Sequence, residues 1–278
     1  MNRLPCLAII GVCAAFSSIA AAAPPTYGVY AIRYGGLKDV PVNALVPKAD
    51  PARKIDTAFM VWLIRGQGRN ILVDAGFHRD QFIRQWHPVD YVEPSKATAR
   101  LGLKPEDITD IVITHLHWDH ADGIDLFPNA HIWIQKDELA HYANEAAQHP
   151  NNAGVFAEDV AVLVALEKRG RVTRIDGDAQ AIFPGITAYI GGKHTFQSQF
   201  IGVHTATGTI VLASDNVYLY ENIDKHLPIT ATSDAAANLR AQDRMKRMVT
   251  DPKFIIPGHD GKVMTIFAGP IAGVAKIQ

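Results

Sequence analysis

Cysteine is nearly absent from this chain. Its two copies, Cys6 and Cys13, both lie in the first 22 residues, so the remainder carries no disulfide and no thiolate metal ligand. A metal site without thiolate must be built from imidazole and carboxylate, which suits zinc and also iron, manganese or cobalt. Surplus charge is lacking too. The formal net charge of −1 gives no electrostatic case for nucleic acid or an anionic membrane as partner. There is no phosphate-cradling loop either, because Gly66-Gln67-Gly68 joins two strand-like runs and no helix opens after it. No linker and no short internal repeat interrupts residues 23–278, which are expected to form one domain.

The longest uncharged apolar stretch is at the start. Asn2-Arg3 precedes Leu4 to Ala22, which closes in a run of alanines before Pro24-Pro25. Residues 1–22 read as a secretory signal peptide, so the mature protein is expected to be periplasmic or secreted, with no stable membrane insertion after cleavage. The run is near the lower limit for spanning a bilayer. Ile10-Gly11-Val12-Cys13 is a poor lipoprotein box.

What the chain does have is histidine at strand ends. Asp110-Ile111-Val112-Ile113-Thr114 is β-branched and apolar, and reads as a buried strand. It delivers His115 and His117, two apart and on one side at extended geometry. Asp119 and His120 follow where the chain should turn, with Asp122-Gly123 as turn chemistry. Two imidazoles on one face can start a metal site, and the adjacent Asp and His can start a second beside it. Further donors end other strand-like runs: Asp74 after Val73, His194 after Ile186–Ile190, Asp215 after Val211–Ser214, and His259 after Phe254–Ile256. Asp74 is expected to orient a ligand or the local turn rather than bind metal. Of twelve histidines, His78, His87, His131, His141, His149, His204 and His226 are expected to be surface or structural, with His78 the one placed near the pocket mouth.

Strands and helices recur along the chain in two comparable halves. Residues 27–34 form an aromatic strand, a Pro-interrupted segment follows through Pro51, and 57–65 with 70–74 make a hairpin. Short helices are predicted at 80–86 and from a Ser95 cap through Leu101, and strands at 130–134, 172–175, 187–190, 199–205 and 209–214. Helical periodicity covers 136–147 and 157–168, a lid, a side wall or a plain scaffold pair. Ser233 or Asp234 caps a helix to Met248. Two comparable halves of this kind suit an α+β, four-layer αββα sandwich.

At His115-Leu116-His117-Trp118-Asp119-His120 the chain resembles the metallo-β-lactamase-fold hydrolases, whose pattern is HxHxDH. The blocks around Asp74, His194, Asp215 and His259 follow in the same order. The resemblance implies a dinuclear site: His115, His117 and His194 on one divalent ion, Asp119, His120 and His259 on the other, and Asp215 bridging. It implies hydrolysis by a hydroxide held between the ions, with zinc the expected metal. Asp215 stands where true β-lactamases typically carry cysteine or serine. The basic C-terminal segment expected of a glutathione thioesterase is missing. Within the family the chain is most similar to the N-acyl homoserine lactonases, quorum-quenching enzymes. In those a tyrosine at the place of Tyr218 hydrogen-bonds the substrate carbonyl. Asp119 and Tyr218 are therefore the expected catalytic residues, and a small lactone or ester the expected substrate. The alternatives are another exported dinuclear hydrolase (carboxylesterase, β-lactamase-like or phosphodiesterase) and a non-catalytic metal-binding protein. One departure stands out: His194-Thr195-Phe196-Gln197-Ser198 replaces the usual H-[ST]-P-G-H. Phe196, Trp118 and Phe77 are expected either as apolar walls for an acyl chain or ring or as core residues.

Overall fold

Residues Phe59 to Ile64 are buried without a break, and a strand apolar on both faces needs cover on both. Trp62 and Ile64 face a core shared with Ile186, Ile201, Leu212 and Ile256. Val61 and Leu63 face a second core with Phe82, Ala97, Leu139 and Leu163. The first core lies between two sheets and the second lies between a sheet and its helices. A third, built from Phe200, Val211, Ala241 and Met245, puts the helix Ala235–Met248 on the outside of the other sheet. The layers are therefore αββα, as the sequence suggests. This computed structural model describes residues 25–278 apart from 147, 150 and 153. The expected export segment 1–22, with both cysteines, lies outside the described residues. Among the described residues no helix is long and apolar enough to cross a membrane.

The larger sheet has seven strands, in the spatial order Val172–Ile175, His131–Gln135, Asp110–Val112, Arg69–Val73, Phe59–Gly66, Gly28–Gly35 and Val274–Lys276. Its first four strands are mutually parallel and the rest antiparallel. The smaller sheet runs Gln180–Phe183, Ile186–Ile190, Gln199–Thr205, Gly208–Ser214 and Ile255–Pro257. Its last two are parallel, and Ile186–Ile190 shares their direction after two antiparallel steps. The strands that precede the expected ligands thus deliver them at their C-terminal ends, where connecting loops meet.

Several local expectations change. Gln67 (φ 53°) and Gly68 (φ 72°) form the hairpin turn, but the strand before the histidines stops at Val112. Asp122-Gly123 is not a turn: it continues the helix Trp118–Ala121 as a 3-10 segment to Leu126. Ser95 does not cap its helix. Pro94 takes the first helical position and the Ser95 hydroxyl donates to Glu93 Oε1 at 2.6 Å. The helix from Lys136 ends at Glu145, and the expected end, 147, lies outside the described residues. Asp234 is the cap of the last long helix, accepting from the Ala237 N–H at 2.8 Å. The strands Gln180–Phe183 and Val274–Lys276 have no counterpart in the sequence reading.

Candidate metal centre

Two backbone features turn the strand ends inward. Asp74 (φ 62°) and Ser214 (φ 47°) both lie in the left-handed region, sparsely used by residues with a side chain. Two glycines then allow the loops to close. A Cβ on Gly123 would lie 2.3 Å from the Ala75 carbonyl oxygen, and one on Gly258 would lie 2.2 Å from Asp215 Oδ1. Glycine is therefore required for the loop after His120 to pack on Asp74-Ala75-Gly76, and for the chain entering His259 to pass Asp215.

The seven donors expected from the sequence come together in two groups, His115, His117, His194 and Asp215, and Asp119, His120 and His259, each with its ligand atoms within 4.8 Å of one another. Asp215 lies between them. Its Oδ2 is 3.4 Å from His194 Nε2 and 3.9 Å from His115 Nε2. Its Oδ1 is 3.1 Å from His259 Nε2 and 3.4 Å from His120 Nε2. Asp119 Oδ2 stands 3.5 Å from His120 Nε2 and 3.6 Å from His259 Nε2.

Four imidazoles are anchored by Nδ1, which leaves Nε2 for the centre. His120 Nδ1 meets Asp74 Oδ2 at 2.8 Å, and His194 Nδ1 meets the Ala231 carbonyl at 2.8 Å. His259 Nδ1 meets the Ala58 carbonyl at 3.1 Å, and His115 Nδ1 the Thr114 hydroxyl at 3.0 Å. His117 presents Nδ1, 3.1 Å from His115 Nε2. Fixing one ring nitrogen so is the ordinary preparation of a metal ligand. Asp74 has the orienting place expected of it.

The donor set fits divalent ions. His120 Nε2, His194 Nε2 and Asp215 Oδ1 are buried without a hydrogen-bond partner among the described residues. Such atoms are costly unless something coordinates them. Burial, joined by the neighbouring imidazoles, pushes the His115 ring well below the usual histidine range. Burial alone would raise the Asp215 carboxyl, but the His259 and His120 rings outweigh it and hold it well below the usual carboxylate range. Asp215 and His115 thus already stand in the forms that ligate a cation, whereas the surrounding carboxylates raise His120 and His259, whose protons a bound cation must displace.

Tyr218 is 7% exposed, its hydroxyl 3.5 Å from His194 Nδ1. Its ring centroid is 5.6 Å from that of His194 and 5.8 Å from that of His259. Burial, with the Asp215 and Asp119 carboxylates, pushes its pKa well above the usual range, so it keeps its proton. It faces a cavity of about 290 Å³ that also exposes His117, Asp119, Asp215 and His259.

The apolar wall of this cavity differs from the expected one. Trp118 lines it, as expected, but Phe77 is fully buried and is absent from the lining. Phe196 is 44% exposed and stacks on His141 instead, at 4.0 Å and 7°. Leu37, Val40, Leu45, Phe59 and Trp86 complete the wall. Trp118 stacks with both Phe82 (4.5 Å, 25°) and Trp86 (5.6 Å, 8°). Val40 and Leu45 come from the Pro-interrupted segment, whose only sequence signal was its lack of periodicity. His78 pairs with Asp125 Oδ1 at 2.9 Å and is not part of the lining. From the stretch 136–168, Gly154 lines the cavity.

A family profile described as the Metallo-beta-lactamase superfamily matches residues 60–259. An N-acyl homoserine lactonase from a Bacillus species is 32% identical over 163 residues, which are 58% of this chain and 59% of that protein. One from Agrobacterium fabrum is 24% identical over 147 residues, 49% of this chain and 53% of that protein. The matched region thus spans well under two thirds of these curated relatives. A solved quorum-quenching N-acyl homoserine lactone lactonase superposes with a TM-score of 0.69 at 25% identity, over 86% of this chain and 95% of that one. A dizinc quorum-quenching lactonase shares the fold with a TM-score of 0.64 at 15% identity, over 91% and 93% of the two chains.

Proposed function

Since the chain belongs to the metallo-beta-lactamase superfamily, we propose that it is a metal-dependent hydrolase that opens lactone rings, N-acyl homoserine lactones above all, and so quenches quorum signals. The observation that carries this reading is Tyr218, which lines the same cavity as Asp119, Asp215 and His259, with its hydroxyl 3.5 Å from His194 Nδ1. A generic dinuclear hydrolase needs the seven donors; it does not need a protonated phenol beside them.

His115, His117 and His194 would hold one ion, Asp119, His120 and His259 the other, and Asp215 both. The ions, zinc in this reading, would supply Lewis-acid polarisation and charge stabilisation. The chain's own residues do the rest. As a water oxygen bonds to the lactone carbonyl carbon, Asp119 takes the proton it sheds. Tyr218 donates a hydrogen bond to the carbonyl oxygen as it gains charge. When the ring C–O bond breaks, Asp119 returns its proton to the departing alkoxide, leaving an open hydroxy acid. Leu37, Val40, Leu45, Phe59, Trp86 and Trp118 suit the acyl chain.

Purified protein assayed on an acyl homoserine lactone, a cephalosporin, a simple ester and a phosphodiester tests the reading. The lactone is expected to be turned over fastest, and activity to vanish after chelation. Preference for any of the other three overturns it. The same reading takes residues 1–22 as an export signal and 23–278 as one periplasmic or secreted domain. Sequencing the N-terminus of the native protein is expected to begin near Ala23, and an intact Met1 would count against export.

A further inference from the structure

Glu138 is a carboxylate with no solvent exposure, and no step above uses it. It lies in the first turn of the helix Lys136–Glu145. Its Oε1 accepts the backbone N–H of Leu116 at 3.1 Å, and its Oε2 accepts that of Gln197 at 2.6 Å. Leu116 is the residue between His115 and His117. Gln197 is three residues after His194, in the loop that departs from the usual proline-containing pattern. One side chain thus ties together the two loops that carry the three imidazoles of one half of the site.

The tie is reinforced from the neighbouring strands. Gln199 donates its backbone N–H to the Thr114 carbonyl at 2.9 Å and its side-chain amide to the Ile113 carbonyl at 2.8 Å. Gln135, just before the helix, donates to Gln199 Oε1 at 3.0 Å. His141, one turn after Glu138 and on the same helix face, stacks on Phe196. The helix thus supports a loop that lacks proline at its usual place. Burying a carboxylate is expensive unless its oxygens are bonded, and here each oxygen accepts an N–H from a different ligand loop.

We infer that Glu138 is a positioning residue that holds His115 and His117 in register with His194. This rests on the metal-binding reading above, and Glu138 touches neither ligand ring nor substrate. Glu138→Gln keeps the shape but turns one acceptor into a donor facing a backbone N–H, so one loop must shift. The test is metal affinity on the full-length holoprotein, by competition with a chromophoric zinc chelator, beside the Tm of the metal-free form. One of two zinc ions is expected to bind roughly 10- to 100-fold more weakly, the range for losing a residue that supports a ligand, while the other keeps its affinity. Two ions bound at wild-type affinity, or both weakened alike, overturn the inference. Hydrogen exchange on metal-free wild-type protein keeps the question open to decision if the variant does not fold. The Leu116 and Gln197 amides are expected to be protected, and free exchange at both overturns the clamp. Wild-type protein that takes up no zinc would instead sink the functional reading, and the exchange result alone would then decide the clamp.

Discussion

The two halves of the candidate metal centre are braced by different means. On the side of Asp119, His120 and His259, a fully buried carboxylate bonds a ligand directly: Asp74 Oδ2 meets His120 Nδ1. Asp74 also accepts from the Thr114 N–H at 2.7 Å, the Thr114 hydroxyl at 2.9 Å and the Ser214 hydroxyl at 3.0 Å. On the side of His115, His117 and His194, the buried carboxylate is Glu138, which accepts the Leu116 and Gln197 backbone N–H groups and bonds no ligand ring among the described residues, and the rings lean on neutral partners, the Thr114 hydroxyl and the Ala231 carbonyl. Charge differs accordingly. Burial works against the charged form of His120, yet the Asp215, Asp119 and Asp74 carboxylates raise its pKa well above the usual range, while His115 is pushed well below it. One half is braced through charge on its ligand, the other through the shape of its loops.

The harshest way to break this comparison is to remove what the halves share. Asp215 stands between the two groups, within reach of His194 and His115 on one side and of His120 and His259 on the other, so Asp215→Ala is expected to reduce metal content below two ions per chain and turnover to background, measured by elemental analysis and lactone hydrolysis together. Retention of two ions and measurable turnover would mean that the halves stand without a bridge.

Tyr218→Phe comes next. The ring keeps its packing against Val42, Val46 and Ile229 and loses one hydroxyl. Turnover of an acyl homoserine lactone is expected to fall roughly 10- to 1000-fold, with a lost oxyanion donor as the guide, and metal content to stay at two. Full activity would make the tyrosine structural and remove the support specific to lactone chemistry.

Asp74→Asn separates the halves. The amide can still accept from Thr114 but no longer compensates the His120 ring, so the ion on that side is expected to bind about 10- to 100-fold more weakly. The other ion should weaken less, because Asp74 reaches His115 only through the Thr114 hydroxyl. Chelator competition reads both, and equal weakening would show that the two braces act as one unit.

That Asp74 was legible in the sequence and Glu138 was not has a physical reason. Asp74, like His194, Asp215 and His259, directly follows or closely trails an apolar run, and a polar donor at the end of a buried strand is conspicuous in one dimension. Glu138 sits in Lys136-Asp137-Glu138, where a carboxylate reads as an ordinary acidic first turn of a helix. Its partners are 22 and 59 residues away. The layers were legible because strands and helices recur in two comparable halves, and the unbroken burial of Phe59–Ile64 is what a strand covered on both faces shows. The cavity wall was not. Phe77 and Phe196 lie close in sequence to the motif blocks, yet tertiary packing sends one into the core and the other onto His141. Leu37, Val40 and Leu45 come from a segment with no period to read.

The mildest prediction concerns that wall. Trp86 is 42% exposed and stacks face to face on Trp118, the residue between His117 and Asp119. It supports no ligand of either half, so Trp86→Ala should leave both ions in place and kcat unchanged. What it removes is apolar surface beside the mouth and a stacking partner worth about 0.5–1.5 kcal/mol beyond its buried area. At about 1.4 kcal/mol per factor of ten, KM for a decanoyl homoserine lactone is expected to rise up to roughly tenfold. KM for the butanoyl compound should change little, because the shorter chain reaches less of the wall. Trp86→Phe should recover part of the loss. Equal losses on the long and short substrates would show that the tryptophan steadies the Trp118 loop, and through it the two halves, rather than contacting the acyl chain.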